Sequence, residues 1–363
     1  MSQHQKQTLF HPDLRAASRC ALGLCFLLLA TSCSPLQKKN SLRDRFVASN
    51  QRDWSPQFRA LPKAVIVGDQ VTIYNIRNNV YLTENDFLVQ HYDRLFKLSD
   101  IQTVEFIVVP FQGMESIAHT MLSFGLVDGT YIVVSVEVRT EKGESYTTAL
   151  GMSREFELTY VVADERDLIR LRTRHRKAEV YIYPSSATPE KAQALFVDMM
   201  QRANTLSEKP EFYDTIRNNC TNNLVRHVNH VFPDRVPMSW KILLSGHSDR
   251  YAYDIGLIDQ RIPFDELKQL ALINDLAETH YDAPDFSQKI RSRLLRLDEI
   301  APAVEDTSAI EAKSTNQSKP RTAPRRWAEL LDTFRNQGRR PNALKQPRTS
   351  IDDPDPIDVS IED

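Results

Sequence analysis

Residues 117–126 and 131–139 are two strand-like runs joined by Val127-Asp128-Gly129-Thr130. The loop between them decides which side chains share a face. A two-residue Asp-Gly loop would pair Val127 with Thr130. A three-residue loop, with Gly129 left-handed and a G1 bulge, would pair Leu126 with Thr130. Directly opposed residues lie on the same face, and a one-residue slip exchanges the faces. In the three-residue register, Thr120, Leu122, Phe124 and Leu126 join Ile132, Val134, Val136 and Val138 in an almost wholly apolar set. The other face carries His119, Met121, Ser123 and Gly125 with Tyr131, Val133, Ser135 and Glu137. The two-residue register mixes the two sets, so the bulged register is expected. It places His119 directly opposite Glu137. A carboxylate there can fix the tautomer of the imidazole and stabilise its charged form. A histidine held in this way is suited to take a proton from a thiol and return it. The plain alternative is a cross-strand pair on a solvated face.

The partner thiol is found in Asn218-Asn219-Cys220-Thr221-Asn222-Asn223, a turn running into a helix whose apolar spacing continues over 224–231. A thiol in the first helical turn lies at the positive end of the macrodipole, which favours thiolate. A small buried Cys behind a helix start is the alternative.

Cysteine usage favours the reactive reading. Three of the four Cys lie in the first 33 residues. Lys6, Arg15 and Arg19 precede a short apolar run at 20–30, too short to span a bilayer comfortably. Leu29-Ala30-Thr31-Ser32-Cys33 then resembles a lipobox, with Ala30 where Leu is more usual. Residues 1–32 are expected to be a lipoprotein signal peptide and Cys33 the lipidated residue; a plain signal peptide or an uncleaved anchor is the alternative. Ser34 and Pro35 follow, without the Asp that marks retention at the inner membrane, which leans toward the outer membrane. Cys220 is then the one free thiol in an oxidising compartment, where an unused thiol is a liability.

A net charge of −2 makes no electrostatic case for a nucleic-acid partner. No zinc spacing, phosphate-binding glycine loop or internal repeat is present, so no cofactor and no metal are expected. His227 lies two helical turns beyond Cys220, roughly 10 Å along the axis, too far for direct proton transfer. A Cys220/His227/His230 metal site would lack a fourth ligand. His91, His175 and His247 read as surface residues.

Residues 64–67 and 71–74 read as a hairpin around Gly68-Asp69-Gln70, 104–109 as a buried strand and 180–183 as another. Arg170, Arg172, Arg174 and Arg176 have the spacing of one strand face, suited to lipid phosphates or to blunting a sheet edge. Thr188-Pro189-Glu190 opens a helix with Ala192, Leu195, Phe196, Met199 and Ala203 as its buried stripe. Helical spacing recurs at 264–277 and 286–297. Residues 301–325 and 341–363 have the composition of disorder, around an amphipathic island at 327–334.

Several stretches carry a family resemblance: Ile73-Tyr74-Asn75-Ile76-Arg77-Asn78, residues 116–125, 137–146 and 160–167, and Asn218-Asn219-Cys220-Thr221. Over about residues 55–250 they are similar to a bacterial family that includes lipoprotein N-acyltransferases of the Lnb type. The resemblance implies a circularly permuted NlpC/papain-like thiol fold, in which the base His precedes the nucleophilic Cys. Carried over by position, Cys220 is the nucleophile and His119 the base; Glu137 as third member rests mainly on the hairpin register. Asn218 and Asn219 are candidates to support an oxyanion beside the Cys220 N–H, or simply turn and cap residues. Related permuted domains include peptidases and amidases.

The expected architecture is α+β, an antiparallel sheet with packed helices. It divides into a signal peptide (1–32), a tether (33–60), the thiol domain (61–250), a helical extension (251–300) and a mostly disordered tail (301–363). The expected activity is transfer of an acyl chain from a membrane phospholipid to the α-amine of a diacylated lipoprotein, through a Cys220 thioester, at the periplasmic side of the cell envelope. A periplasmic Cys peptidase or amidase acting on cell-wall peptides, or a non-catalytic envelope binding lipoprotein, are the alternatives.

Overall fold

The chain adopts the three-residue register. In the computed structural model, which describes residues 47–144, 151, 155–237 and 245–295, the Leu126 N–H donates to Thr130 O at 2.9 Å and Gly129 N–H to Leu126 O at 2.9 Å. Gly129 has φ +78°, a conformation that penalises any Cβ. The signal segment, Cys33, the tail and the 327–334 island lie outside the described residues.

Among the described residues ten strands are present: β1 Lys63–Val67, β2 Gln70–Arg77, β3 Val80–Tyr81, β4 Phe87–Leu88, β5 His91–Lys97, β6 Ile101–Phe111, β7 Met114–Leu126, β8 Tyr131–Arg139, β9 Glu157–Asp164 and β10 Tyr181–Pro184. Eight form one sheet in the order β1-β2-β9-β8-β7-β6-β10, with β5 also on β2; β3 and β4 form a separate hairpin. The expected β1–β2 hairpin turns through Gly68 (φ +59°) with Val67 opposite Gln70. The sheet is mixed, not antiparallel throughout: β2 meets β9 in parallel at Arg77↔Ala163. These strands are far apart in sequence, so no tight turn dictates their relative direction.

Helices cover both faces. The apolar face, with Leu122, Phe124, Ile132 and Val134, packs against α3 (Pro189–Glu208) and α4 (Cys220–Val231). Helix α3 starts as its sequence dictates: the Thr188 hydroxyl accepts from Lys191 N, Pro189 occupies the first turn, and the five stripe residues are buried. The opposite face is buried too, under α2 (Glu165–Arg170), α7 (Asn274–Thr279) and α8 (Phe286–Lys289). Its serines are satisfied internally; Ser123 Oγ donates to Glu165 Oε1 at 2.7 Å. Hence the His119–Glu137 face is not a solvated one.

The arginine run is helical rather than extended. Asp164 caps α2 by accepting from Arg166 N, with Glu165 and Asp167 in the first turn, favourable charges at a helix N-terminus. The chain continues through a π-helical turn, Leu171–His175, so alternate arginines diverge. The segment expected as one helix at 264–277 is two, α6 (Phe264–Ala271) and α7. They separate because Leu272 bridges to Tyr181 and Ile273 N–H donates to Val180 O. The 286–297 segment is likewise interrupted after α8, at residues 290–291.

Packing extends on both sides of the 61–250 core. Trp54, at 3 % exposure, lies beneath the Arg139 guanidinium at 4.0 Å; the short helix α1 (Pro56–Arg59) follows. At the other end, α5 (Ser248–Asp254) and α6 pack around β10 with Tyr183 and Ile258. Arg291 is buried, bonding both Glu105 carboxylate oxygens at 2.7–2.9 Å and Glu165 Oε2 at 2.8 Å, and stacking 3.5 Å from the Tyr131 ring centroid.

Candidate active site

The β7–β8 ladder runs from Gly125↔Tyr131 to Met121↔Ser135. Beyond it the strands part: β7 keeps its pairing with β6 to Ala118, and β8 its pairing with β9 to Arg139. His119 and Glu137 face each other across this split, and the first turn of α4 meets it. Cys220 is the first residue of α4, after the cap Asn219. The Thr120 backbone N–H, beyond the last ladder pair, helps lower the pKa of the Cys220 thiol, and Thr120 Oγ1 lies 3.2 Å from Thr221 Oγ1. The strand split thus supplies the slot in which thiol and imidazole meet.

His119 Nε2 is 2.8 Å from Ser135 Oγ and 3.2 Å from Glu137 Oε1. Ser135 Oγ donates to the same Oε1 at 2.7 Å. The imidazole is also close enough to the Cys220 thiol for each to shift the other's pKa. A further cation completes the set: Arg172 Nη2 donates to Glu137 Oε1 at 3.0 Å and Nη1 to Leu168 O at 3.1 Å. The π-turn, closed by Arg176 N–H donating to Leu171 O, brings this buried guanidinium under the sheet. On the other side Ser245 Oγ clamps Ala118, accepting from its N–H and donating to its carbonyl at 2.8 and 2.7 Å. Gly246 passes so close to the β7 start that a Cβ would lie 1.9 Å from Glu115 O.

The electrostatics follow from this wiring. Burial pushes the Cys220 thiol up, but the hydrogen bond and charge of His119 more than offset it, helped by the Thr120 N–H and Thr221 hydroxyl, and the thiol falls to about 7. Burial pulls His119 down, while the Glu137 charge and the hydrogen bonds of Cys220 and Glu137 raise it to about 9. Burial opposes ionisation of Glu137, yet His119 and Arg172 hold it well below the usual carboxylate range. Between these two titrations the pair is thiolate and imidazolium, and the protons belong to the pair as a unit.

A cavity of about 640 Å³ opens onto Cys220, His119 and Glu137, walled by Tyr81, Phe87, Phe111 and Tyr213 among others. Asn219 lines it. Its Oδ1 caps α4 by accepting from Asn222 N at 2.8 Å, and its Nδ2 donates to Thr215 O at 2.7 Å. Asn218 is committed to the turn: Nδ2 donates to Phe212 O, and Oδ1 accepts from Asn223 and Arg226.

His227 belongs to a different cluster. Its Nε2 is 2.5 Å from Tyr160 OH and its Nδ1 2.5 Å from Asp198 Oδ2, and burial lowers its pKa. His230 shares Asp198 at 2.5 Å. Among the described residues no group of three or more His, Cys, Asp or Glu is placed to hold a metal ion, and no helix is long and apolar enough to cross a membrane.

Ser135, Arg172 and Ser245 escape a reading of the sequence. A signal for Ser135 existed, since the bulged register puts it beside Glu137 on the same face. Arg172 was not, because its position depends on the π-turn.

Residues 88–246 match the family model described as the Lnb N-terminal periplasmic domain; this span contains His119, Glu137, Arg172 and Cys220. No curated protein and no solved structure matches the chain.

Proposed function

We propose, from the premise that residues 88–246 are an Lnb-type periplasmic domain, that the protein is a thiol acyltransferase of permuted NlpC/papain-like type, moving an acyl chain from a phospholipid to the α-amine of a diacylated lipoprotein. The observation that carries this reading is a buried Cys220 beside half-buried His119 and Glu137, opening into a cavity with aromatic walls. Lipidated Cys33 tethers the domain to the membrane holding both substrates, with the outer membrane preferred.

Sγ of the Cys220 thiolate attacks the ester carbonyl carbon. The oxyanion receives the Cys220 N–H at the α4 N-terminus, and Asn219, whose amide carries a second N–H, lies beside it. As the tetrahedral adduct collapses the ester C–O bond breaks, and His119 gives its proton to the departing lysophospholipid oxygen. Nε2 is held by Ser135 and Glu137, so Nδ1 is the nitrogen that exchanges protons. The lipoprotein amine then attacks the thioester, His119 takes the amine proton, and the C–S bond breaks to leave the amide and the original ion pair. Glu137 stabilises each imidazolium stage and Arg172 holds Glu137 ionised.

Intact mass of the detergent-solubilised protein after mixing with phospholipid tests this. An acyl-sized gain is expected on the wild type, removed by hydroxylamine and absent from Cys220→Ala and His119→Ala. No gain with a thiol that still alkylates points to soluble peptide substrates. No gain with an inert thiol points to a binding module. Either result overturns the acyltransferase reading.

A further inference from the structure

The β3–β4 hairpin stands at the cavity rim with its two faces divided by chemistry. Val80 is opposite Leu88 and Tyr81 opposite Phe87. Tyr81 and Phe87 line the cavity, and Tyr81 OH donates to Asp167 Oδ1 at 3.1 Å, fixing the hairpin to α2. Strand alternation therefore turns Val80, Leu82 and Leu88 outward. Leu82 is 66 % and Leu88 59 % exposed, an unusual density of open aliphatic surface on so short an element. Charge accompanies it. Arg176 Nε bonds Glu84 at the hairpin tip at 2.8 Å, which sets the exposed Arg176 and its neighbour Lys177 beside the hairpin. The tip carboxylates Glu84 and Asp86 keep any insertion shallow.

We infer that this hairpin and its basic flank are the surface by which the domain docks on an anionic phospholipid bilayer. Leu82 and Leu88 enter the interface while the cations meet lipid phosphates. The inference rests on the acyl-transfer reading for its choice of partner. It adds a direction of approach: the cavity mouth faces the bilayer, so an acyl chain reaches Cys220 past Tyr81 and Phe87 without crossing water.

The test is co-sedimentation of the full chain carrying Cys33→Ser, so that no lipid anchor masks the contact. The vesicles are phosphatidylethanolamine with phosphatidylglycerol, and separately phosphatidylcholine. Leu82→Ser with Leu88→Ser is expected to lower partition to both by about tenfold or more. Arg176→Glu with Lys177→Glu is expected to weaken binding to the anionic vesicles alone. The Cys220 alkylation rate reports that each variant is folded. Unchanged partition of the leucine pair would overturn the inference. So would a wild-type dimer that binds no vesicles and dissociates on the same substitutions, which would put a second copy on this face. The thioester mass gain is read independently. Docking can fail with acyl transfer intact, or hold while Cys220 forms no thioester.

Discussion

Glu137→Gln removes the charge that holds the thiolate–imidazolium pair, with little change of shape. At 3.2 Å from His119 Nε2, and at an effective dielectric of about 20, the carboxylate favours the imidazolium by about 5 kcal/mol. That is more than the climb of His119 from 6.5 to about 9 requires, because burial works against it. With Gln at 137, burial and the neighbouring Arg172 both oppose the charge, and His119 falls to its ordinary value or below. Cys220 then loses its chief support while its own burial remains, and rises from about 7 toward its ordinary 9. At pH 7 the thiolate fraction drops from about one half to about one per cent. A more basic thiolate is intrinsically more nucleophilic, by about tenfold over two pK units. Iodoacetamide alkylation at pH 7 should therefore slow about 5-fold, with the midpoint of its pH profile moving alkaline from about 7 toward 9. His119→Ala sets the limit of this shift. Leaving Arg172 without its carboxylate costs about 3 kcal/mol, so Glu137→Gln with Arg172→Met serves as a folded control. A midpoint unmoved in both variants would falsify the assignment of Glu137 to the relay.

Three other perturbations have defined outcomes. Arg291→Met strands Glu105 and Glu165 in the core and should cost about 3–5 kcal/mol in urea unfolding. Burial already holds Glu105 above its ordinary value, so folded Glu105 takes up a proton more readily than unfolded, and the deficit should shrink as pH falls from 8 toward 5. Gly129→Ala forces a Cβ into a left-handed position 2.0 Å from Gln288 Nε2 and should lower stability by about 1–2 kcal/mol without moving the alkylation midpoint. His227→Ala leaves Tyr160 and Asp198 without their shared partner and should destabilise by about 2 kcal/mol; a shifted Cys220 profile in that variant would show the Tyr160–His227–Asp198 cluster to be coupled to the thiol.

The hairpin was legible because two strict rules act on it together. Left-handed Gly129 allows the bulge, and the alternation of Leu122, Phe124, Ile132 and Val134 selects it. The cap and stripe of α3 were legible for the same reason, local chemistry and packing agreeing. The arginine run misled because even spacing fits a strand as well as a charged helix. The deciding signal, Asp164 followed by Glu165 and Asp167, lay just ahead of it. The break between α6 and α7 follows from the pairing of Leu272 with Tyr181, a contact that no local pattern records. The split between β7 and β8 is of this kind also: the register could place His119 opposite Glu137, but not show that the ladder ends before them and admits the thiol.

Arg291 bears on the life of the chain before it folds. Glu105 and Glu165 sit in the core with their cationic partner 186 and 126 residues further on. Until that arginine emerges from the ribosome, closing the sheet means sealing in unbalanced carboxylates. A chain that lacks it meets the cost of burying two carboxylates without their cation. A fragment ended at residue 246, where the family match ends, would lack this latch permanently.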